Sequence, residues 1–246
     1  MDKEIYFISD NHFMPFHNEE EQERRQLFFD LLKQIKKEGN SLYIVGDFFD
    51  FWFEYKYVIP RHYFDILCEL KSVVESGCKV HFMGGNHDYW LYDFFTDNGM
   101  QVYYDDVELE IGGKKFFITH GDGKLNLDPF YPAFRKVIRN PLMIKFFRLL
   151  HPDLAYRIAR LVSRTSRNKS PDSSHTLENL YMRKIEDFSH KKFQQGYDFV
   201  VTGHYHFPMK YENDGGIFVN LGDWLEHFTY GCYHQGQFYL EKFKQD

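Results

Sequence analysis

The sequence predicts a mixed α/β fold whose first half forms a largely parallel sheet. Three short apolar runs, at residues 5–8, 42–45 and 80–83, are separated by two helical stretches, as in successive βαβ units. After about residue 107, a hairpin, a long helical stretch and several short strands follow. Polar motifs come directly after most of the apolar runs, at the strand ends where parallel sheets bind their ligands.

The helices of the first half carry recognisable boundary residues. Asn18 followed by Glu21 is typical of a helix N-terminus, and apolar residues at helical spacing then continue until Gly39. A second helix is expected over residues 60–76, because Pro60 suits a first turn and a glycine follows the stretch. These two helices provide the connections that parallel strands require.

The second half of the chain follows a different pattern. Residues 107–119 are expected to form a hairpin around a Gly-Gly pair. Helices are expected over most of residues 124–196, with a polar loop at 163–174, before strands resume towards the C-terminus. Because the helical stretch shows no core of its own, we expect a single domain over residues 1–246, with 124–196 inserted as a helical cap.

Composition and charge restrict the class of protein. The apolar content of 43% suits a globular chain, and no run approaches the roughly 20 apolar residues of a membrane span. We expect a cytoplasmic protein with reduced thiols, because no signal peptide precedes the first strand and the three cysteines lack a metal or redox spacing. The net charge is −6, yet residues 135–169 hold ten Lys/Arg against one acid, which indicates an anionic partner for this stretch.

Five polar motifs carry the residue types of a metal site. They are Asp10-Asn-His12, Gly46-Asp47-Phe-Phe-Asp50, Gly85-Asn86-His87-Asp88, His120-Gly-Asp122 and Gly203-His204-Tyr-His206. Singly, each could be a helix cap, a turn or a surface pair. Together they offer carboxylate, imidazole and amide ligands for two divalent cations, with Asp47 able to bridge both. Strand alternation would place the rings of His204 and His206 on one face.

This ordered set of motifs resembles the calcineurin-like metallophosphoesterase family over most of the chain. The resemblance implies a four-layer αββα fold, with two facing mixed sheets between helices, and a dinuclear site. It implies that His87 lies near the scissile phosphate, oriented by Asp88. The implied ligands are Asp10, His12, Asp47 and His206 for one metal, and Asp47, Asn86, His120 and His204 for the other.

A narrower resemblance concerns the residues around the helical stretch. Asp128, which follows the His120 motif, and Asn220-Leu-Gly-Asp-Trp224 near the C-terminus look like positions of the UDP-2,3-diacylglucosamine pyrophosphatases of lipid A synthesis. That family implies two divalent metal ions, Mn²⁺, and water attack on the α-phosphorus of the UDP group. The products would be UMP and 2,3-diacylglucosamine 1-phosphate. The resemblance also implies peripheral contact with the cytoplasmic face of the inner membrane.

The same resemblance implies residues that contact the substrate. They are Asn86, His87, Asp128, Ser166 and His204. Members of the narrower family carry arginine at the position of His87, so headgroup recognition is expected to differ there. Asp223, beside Trp224, is a candidate for orienting the site.

The basic helical stretch is amphipathic, which suits a substrate with an anionic head and two acyl chains. Its apolar residues include Leu142, Phe146, Leu149, Leu154 and Ile158. For any single one of them, burial against the main domain is the simpler interpretation.

Two kinds of alternative remain open from the sequence. One is another metallophosphoesterase, such as a phosphodiesterase, a phosphoprotein phosphatase or a nuclease whose basic stretch follows a nucleic-acid backbone. The apolar residues in that stretch and the acidic total charge weigh against nucleic acid, so no such partner is expected. Another is a scaffold of the same fold without metals, although all seven ligand positions keep metal-binding residue types. The oligomeric state is left open.

Overall fold

The computed structural model describes residues 4–125, 131–167 and 175–243, apart from the side chains of residues 40, 160–167 and 175–179. The strands are β1 (Glu4–Ile8), β2 (Gly39–Val45), β3 (Lys79–Met83), β4 (Gln101–Tyr103), β5 (Val107–Ile111), β6 (Lys114–Thr119), β7 (Phe199–Thr202), β8 (Pro208–Asn213), β9 (Gly216–Leu221), β10 (Thr229–His234) and β11 (Gln237–Lys242). The helices are α1 (Glu19–Glu38), α2 (Phe64–Glu75), α3 (Phe94–Asp97), α4 (Tyr131–Ile138), α5 (Pro141–Phe147), α6 (Pro152–Arg167) and α7 (His175–Gln194).

The first sheet has the strand order β11-β10-β1-β2-β3-β4. Strands β1 to β4 run parallel, and β10 joins β1 antiparallel. Helix α1 begins as the sequence predicts, since the Asn18 side chain accepts a hydrogen bond from the Glu21 amide at 2.9 Å. Helix α2 starts slightly later than expected, after a 3₁₀ turn at Arg61–Tyr63.

The second sheet has the strand order β5-β6-β7-β9-β8. Strands β6, β7 and β9 are parallel, and the predicted β5–β6 hairpin lies at one edge. Each sheet therefore combines parallel strands at its centre with antiparallel strands towards an edge. The structure confirms the predicted mixed α/β fold with two mixed sheets.

Three apolar clusters separate four layers. Because alternate strand residues point to opposite faces, Tyr6 packs with α1 and α2 whereas Phe7 packs against the second sheet. Between the sheets, Phe7 stacks on Phe116 with ring centroids 6.3 Å apart. On the outer face of the second sheet, Ile185 of α7 packs against Phe117 and Val200.

In the described parts of the chain between β6 and β7, the helices are α4 to α7. Helix α7 forms the outer layer on the second sheet, whereas α4, α5 and α6 leave several large apolar side chains exposed. The prediction of a polar loop at 163–174 is wrong for residues 163–167, which belong to α6, and residues 168–174 lie outside the described residues. Among the described residues, no helix combines the length and apolarity needed to cross a bilayer.

Candidate metal centre

The polar motifs converge because they follow parallel strands whose carboxyl ends meet at one rim. Asp10 lies two residues after β1, and Asp47 lies two residues after β2. His120 follows β6 directly, in the opposing sheet. Backbone bonds tie these ends together, since the Asp10 amide donates to the Gly46 carbonyl at 3.1 Å and the Gly203 amide donates to the His120 carbonyl at 3.0 Å.

One group of potential ligands consists of Asp10, His12 and His206, whose nearest donor atoms all lie within 4.8 Å of one another. Oδ1 of Asp10 is 3.8 Å from Nε2 of His12 and 3.6 Å from Nε2 of His206. The His12 and His206 rings stack with centroids 5.0 Å apart. This spacing places one carboxylate and two imidazoles around a position that a single cation could occupy.

A second group consists of Asp47, His120 and His204, again with donor atoms within 4.8 Å of one another. Oδ2 of Asp47 lies 3.4 Å from Nε2 of His120 and 3.7 Å from Nε2 of His12, so this carboxylate faces both groups. Oδ1 of Asn86 lies 3.2 Å from Nε2 of His120. The arrangement is that of two adjacent cation positions with Asp47 between them.

The burial of these groups fits cations rather than a hydrogen-bonded core. Asp10 is fully buried, and His12, Asp47 and His120 are at most 5% exposed. Oδ1 of Asp10 and Nε2 of His12 are buried and make no hydrogen bond within the described residues. Leaving such atoms without a partner is costly, and hard divalent cations accept this set of oxygen and nitrogen donors.

The carboxylates divide the imidazoles into two kinds. Burial lowers the pKa of His120 and His206, but Asp47 beside the first and Asp223 beside the second raise their pKa values to about 10 and about 9. Burial dominates at His12 and His204, whose pKa values fall to about 4. Two of the imidazoles are therefore neutral at pH 7 in the metal-free protein, and two carry a proton that a cation would displace.

The backbone of the site is strained in a way that the sequence does not reveal. Eight non-glycine residues in the described chain have positive φ, and five of them belong to the predicted ligand set. These five are Asp10, His12, Asp47, His204 and His206. Non-glycine residues adopt this left-handed backbone conformation rarely, and those that do adopt it cluster at functional sites.

The positions of His204 and His206 differ from the prediction that strand alternation sets them on one face. Both residues lie in a loop beyond β7 rather than in a strand, so strand alternation does not govern their side chains. His206 stacks on His12, whereas the His204 ring meets the His120 ring edge-on at 5.1 Å. The two imidazoles therefore belong to different groups.

Asp88 has a different role from the one expected. Its fully buried carboxylate accepts hydrogen bonds from the amides of Gly85 at 2.7 Å, Phe48 at 2.7 Å and Asp47 at 3.2 Å. His87 is oriented instead by the Asp50 carbonyl, which lies 2.7 Å from its Nδ1. Because a carbonyl only accepts, Nδ1 carries the proton and donates it. Asp88 thus holds the two loops that present Asp47 and Asn86.

Behind the ligands lies a set of supporting residues, of which the sequence pointed only to Asp223. Its Oδ2 lies 3.7 Å from Nδ1 of His206 and 3.0 Å from Nδ1 of His227. Arg24, only 5% exposed, donates to the carbonyls of Asn11 at 3.2 Å and His12 at 3.2 Å. Nothing in the sequence around Arg24 indicated that it supports the site, whereas the position of Asp223 beside Trp224 did.

Two of the predicted substrate contacts fall where no side chain is described. Asp128 lies outside the described residues, and Ser166 lies in α6 but its side chain is outside them too. The other predicted contacts, Asn86, His87 and His204, are at the rim.

An apolar cavity of about 200 Å³ opens beside the predicted ligand Asn86. Its lining residues are Phe51, Trp52, Asn86, His87, Tyr89, Trp90, Phe134, Ile138, Phe147, Ile158 and Ala159. The core supplies one wall, while α4, α6 and Phe147 of α5 supply the other. A cavity with this lining suits an apolar group held next to the metal centre.

Comparison with known proteins agrees with this geometry. The sequence profile of the calcineurin-like phosphoesterases matches residues 3–208. A UDP-2,3-diacylglucosamine hydrolase of Porphyromonas gingivalis is 29% identical, over 98% of this chain and 98% of that protein. One of Haemophilus influenzae is 27% identical, over 92% of this chain and 93% of that protein.

Among solved structures, an archaeal phosphodiesterase aligns with a TM-score of 0.50 at 16% identity, covering 97% of this chain and 98% of that chain. At that identity the likeness shows a shared fold alone. The match of the family profile extends over most of the chain and includes every motif of the candidate centre. The chain belongs to the calcineurin-like phosphoesterase family.

Proposed function

We propose that the protein hydrolyses the pyrophosphate bond of UDP-2,3-diacylglucosamine, releasing UMP and 2,3-diacylglucosamine 1-phosphate. Relatives of that name align with nearly the whole chain. The observation that carries the proposal is the apolar cavity lined by Asn86 and His87. A phosphodiesterase or nuclease acting on polar substrates has no need of such a cavity beside its phosphate-binding residues.

The centre would hold two divalent cations, with Mn²⁺ as the first candidate. Asp10, His12, Asp47 and His206 would bind one, and Asp47, Asn86, His120 and His204 would bind the other. Bound there, the cations would supply Lewis-acid stabilisation of phosphoryl oxygens and a nucleophilic water at neutral pH.

His87 and Asn86 would contact the reacting phosphates. Nδ1 of His87 is engaged by the Asp50 carbonyl, which leaves Nε2 for the substrate. The His87 amide donates to Oδ1 of Asp47 at 2.8 Å, so the position of this imidazole is tied to the shared carboxylate. We assign to Nε2 the stabilisation of charge on the departing phosphate. Asp88 acts through the loops it holds.

We propose that the cap over the acyl chains consists of residues 131–167, comprising α4, α5 and α6. It is shorter than the expected 124–196, because α7 packs on the second sheet. Phe134 and Ile138 of α4 and Ile158 of α6 face the cavity. Their apolar surface next to His87 would shelter an acyl chain while the diphosphate lies at the rim.

The outer surface of the cap suits contact with an anionic membrane. Leu142 is 73% exposed, Phe146 62% and Leu149 82%, so the simpler expectation that they are buried against the main domain is wrong. Lys145 is exposed among them, within a stretch that is strongly basic. Apolar side chains flanked by cations bind the surface of anionic bilayers. The proposed location is the cytoplasmic face of the inner membrane, with no nucleic-acid partner.

The test is release of UMP from UDP-2,3-diacylglucosamine by the Mn²⁺-loaded protein. Asp47→Ala should abolish most turnover, because it removes the carboxylate that faces both groups. Asp214→Ala is the matched control, since Asp214 is an exposed aspartate that also has positive φ. Absence of UMP from the wild-type reaction, or preferential cleavage of single-stranded DNA or simple phosphodiesters, would contradict the proposal.

A further inference from the structure

The aspartate of the His120-Gly-Asp122 motif contacts the cap. Asp122 is only 3% exposed, and its Oδ2 accepts hydrogen bonds from Nε of Arg135 at 2.7 Å and Nη2 of Arg139 at 3.0 Å. The Tyr131 hydroxyl donates to the same oxygen at 3.2 Å. All three donors belong to α4 or the residue directly after it. One buried carboxylate beside the metal centre therefore holds one face of this helix.

The same helix also forms part of the cavity wall. Phe134 and Ile138 line the apolar cavity and directly precede Arg135 and Arg139 in the chain. The position of α4 therefore sets both the Asp122 contact and one cavity wall. The eight residues of α4 that the structure describes gain little stability as an isolated helix, so their placement depends on such tertiary contacts.

The C-terminal end of α4 is tied to the core wall of the cavity. The Arg139 guanidinium lies over the Tyr89 ring at 4.3 Å from the centroid, and Nε1 of Trp90 donates to the Ile138 carbonyl at 2.6 Å. Tyr89 and Trp90 also line the cavity. Arg139 thus joins Asp122, two residues after His120, to the aromatic wall.

These contacts identify the groups that pair with the basic residues at the start of the cap. The sequence attributes the basic charge of residues 135–169 as a whole to an anionic partner, but Arg135 and Arg139 pair with Asp122 inside the protein. Charge-assisted bonds of this kind are strong, and removing one partner leaves a buried charge uncompensated. Arg135 and Arg139 therefore stabilise the charged form of the Asp122 carboxylate in its buried position.

We propose that Asp122 is a positioning residue that determines specificity: with Arg135 and Arg139 it fixes α4, so that an apolar chain can bind beside the metal centre. The identity of that chain as an acyl group of the substrate rests on the proposed function. The positioning role itself requires only that the cavity binds an alkyl chain whose phosphate lies at the rim.

The test measures binding of dodecyl phosphate, below its micellar concentration, to the Mn²⁺-loaded full-length chain by calorimetry. Asp122→Asn and Arg139→Gln should each weaken this binding by about tenfold or more, because each breaks a charge-assisted contact that fixes α4. Affinity for Mn²⁺ should stay within about twofold of wild type, since neither residue is a proposed ligand. Lys136→Gln is the control, because it removes one exposed charge from the same helix.

Three results would overturn the proposal. They are no binding of dodecyl phosphate by the wild type, unchanged binding in both variants, and loss of Mn²⁺ affinity in parallel with loss of dodecyl phosphate. Arg139→Gln keeps the test informative if Asp122→Asn does not fold. If dodecyl phosphate binds as expected but UDP-2,3-diacylglucosamine is not hydrolysed, the proposed function fails and the positioning role stands.

Discussion

Replacing Gly85 with alanine perturbs the shared carboxylate of Asp47 without replacing any proposed ligand. A Cβ at residue 85 would lie 2.2 Å from Oδ1 of Asp47 and 2.4 Å from its backbone nitrogen. Both contacts are far inside ordinary van der Waals separation, so Asp47 must move by about 1 Å. Metal–ligand distances tolerate only about 0.2 Å, and the same oxygen is also fixed by the His87 amide at 2.8 Å.

The expected cost has two parts. Overpacking in a well-packed site destabilises a protein by about 1–3 kcal/mol, which thermal unfolding would detect. Displacement of a reacting constellation by about 1 Å lowers turnover by about 100-fold. We expect Gly85→Ala to fold, to lose metal during dialysis and to hydrolyse UDP-2,3-diacylglucosamine about 100-fold more slowly or worse. Metal content would be measured by elemental mass spectrometry.

Gly77→Ala is the control for backbone effects. Gly77 has φ of +89°, and no neighbouring atom lies within 4 Å of the point where an alanine methyl group would stand. Alanine there costs backbone strain alone, about 1–2 kcal/mol. This variant should lose comparable stability and keep its metals and its activity. Wild-type metal content and turnover in Gly85→Ala would refute the reasoning that this close approach positions Asp47.

Three further predictions concern the surroundings of the centre. Asp223→Asn should weaken metal binding by about 10–100-fold in a chelator competition, because Asp223 supports His206; unchanged affinity would count against that support. Metal binding at pH 7.5 should release about two protons, because the pKa values of His120 and His206 are raised to about 10 and about 9, so affinity falls as the pH is lowered. Calorimetry in buffers of different ionisation enthalpy measures this release, and a value near zero would contradict it. Combined Phe146→Ser and Leu149→Ser should weaken sedimentation with phosphatidylglycerol vesicles by about tenfold while sparing turnover of detergent-dispersed substrate; equal sedimentation would exclude this surface.

The sequence predicted the parts of the site that depend on strand ends. Asp10, Asp47 and His120 could be placed near one another because short apolar runs mark parallel strands, whose carboxyl ends share a rim. The signal is local, and the sheet topology brings the residues together. Strand order therefore predicted that these side chains share a rim, whereas their assignment to two metal positions came from the resemblance to the family.

Features that depend on backbone conformation or distant partners were not predictable. Residue type did not reveal that His204 and His206 adopt positive φ in a loop beyond β7, where strand alternation does not govern their side chains. Their division between two metal positions was implied by the family resemblance and not by their spacing. The orienting partner of His87 is the Asp50 carbonyl rather than the neighbouring Asp88, and main-chain partners leave no trace in composition. The partner of Arg139 is Asp122, 17 positions earlier in the chain.

The last residues of α6 show another reason why sequence-based prediction failed. Ser163 and Ser166 suggested a loop, since serine favours turns and caps, but the arginines between and after them are good helix formers. The helix continues to Arg167 on that account. Because residues that favour turns and residues that favour helix alternate here, the sequence alone could not place this helix boundary.

The most direct test of the proposed reaction is hydrolysis of UDP-2,3-diacylglucosamine in ¹⁸O-labelled water by protein loaded with Mn²⁺. We expect UMP carrying one ¹⁸O atom, because the proposed mechanism directs an activated water to the α-phosphorus of the UDP group. We also expect two metal ions per chain in the active protein. Label in 2,3-diacylglucosamine 1-phosphate instead of UMP, or release of no UMP by the metal-loaded protein, would contradict this mechanism.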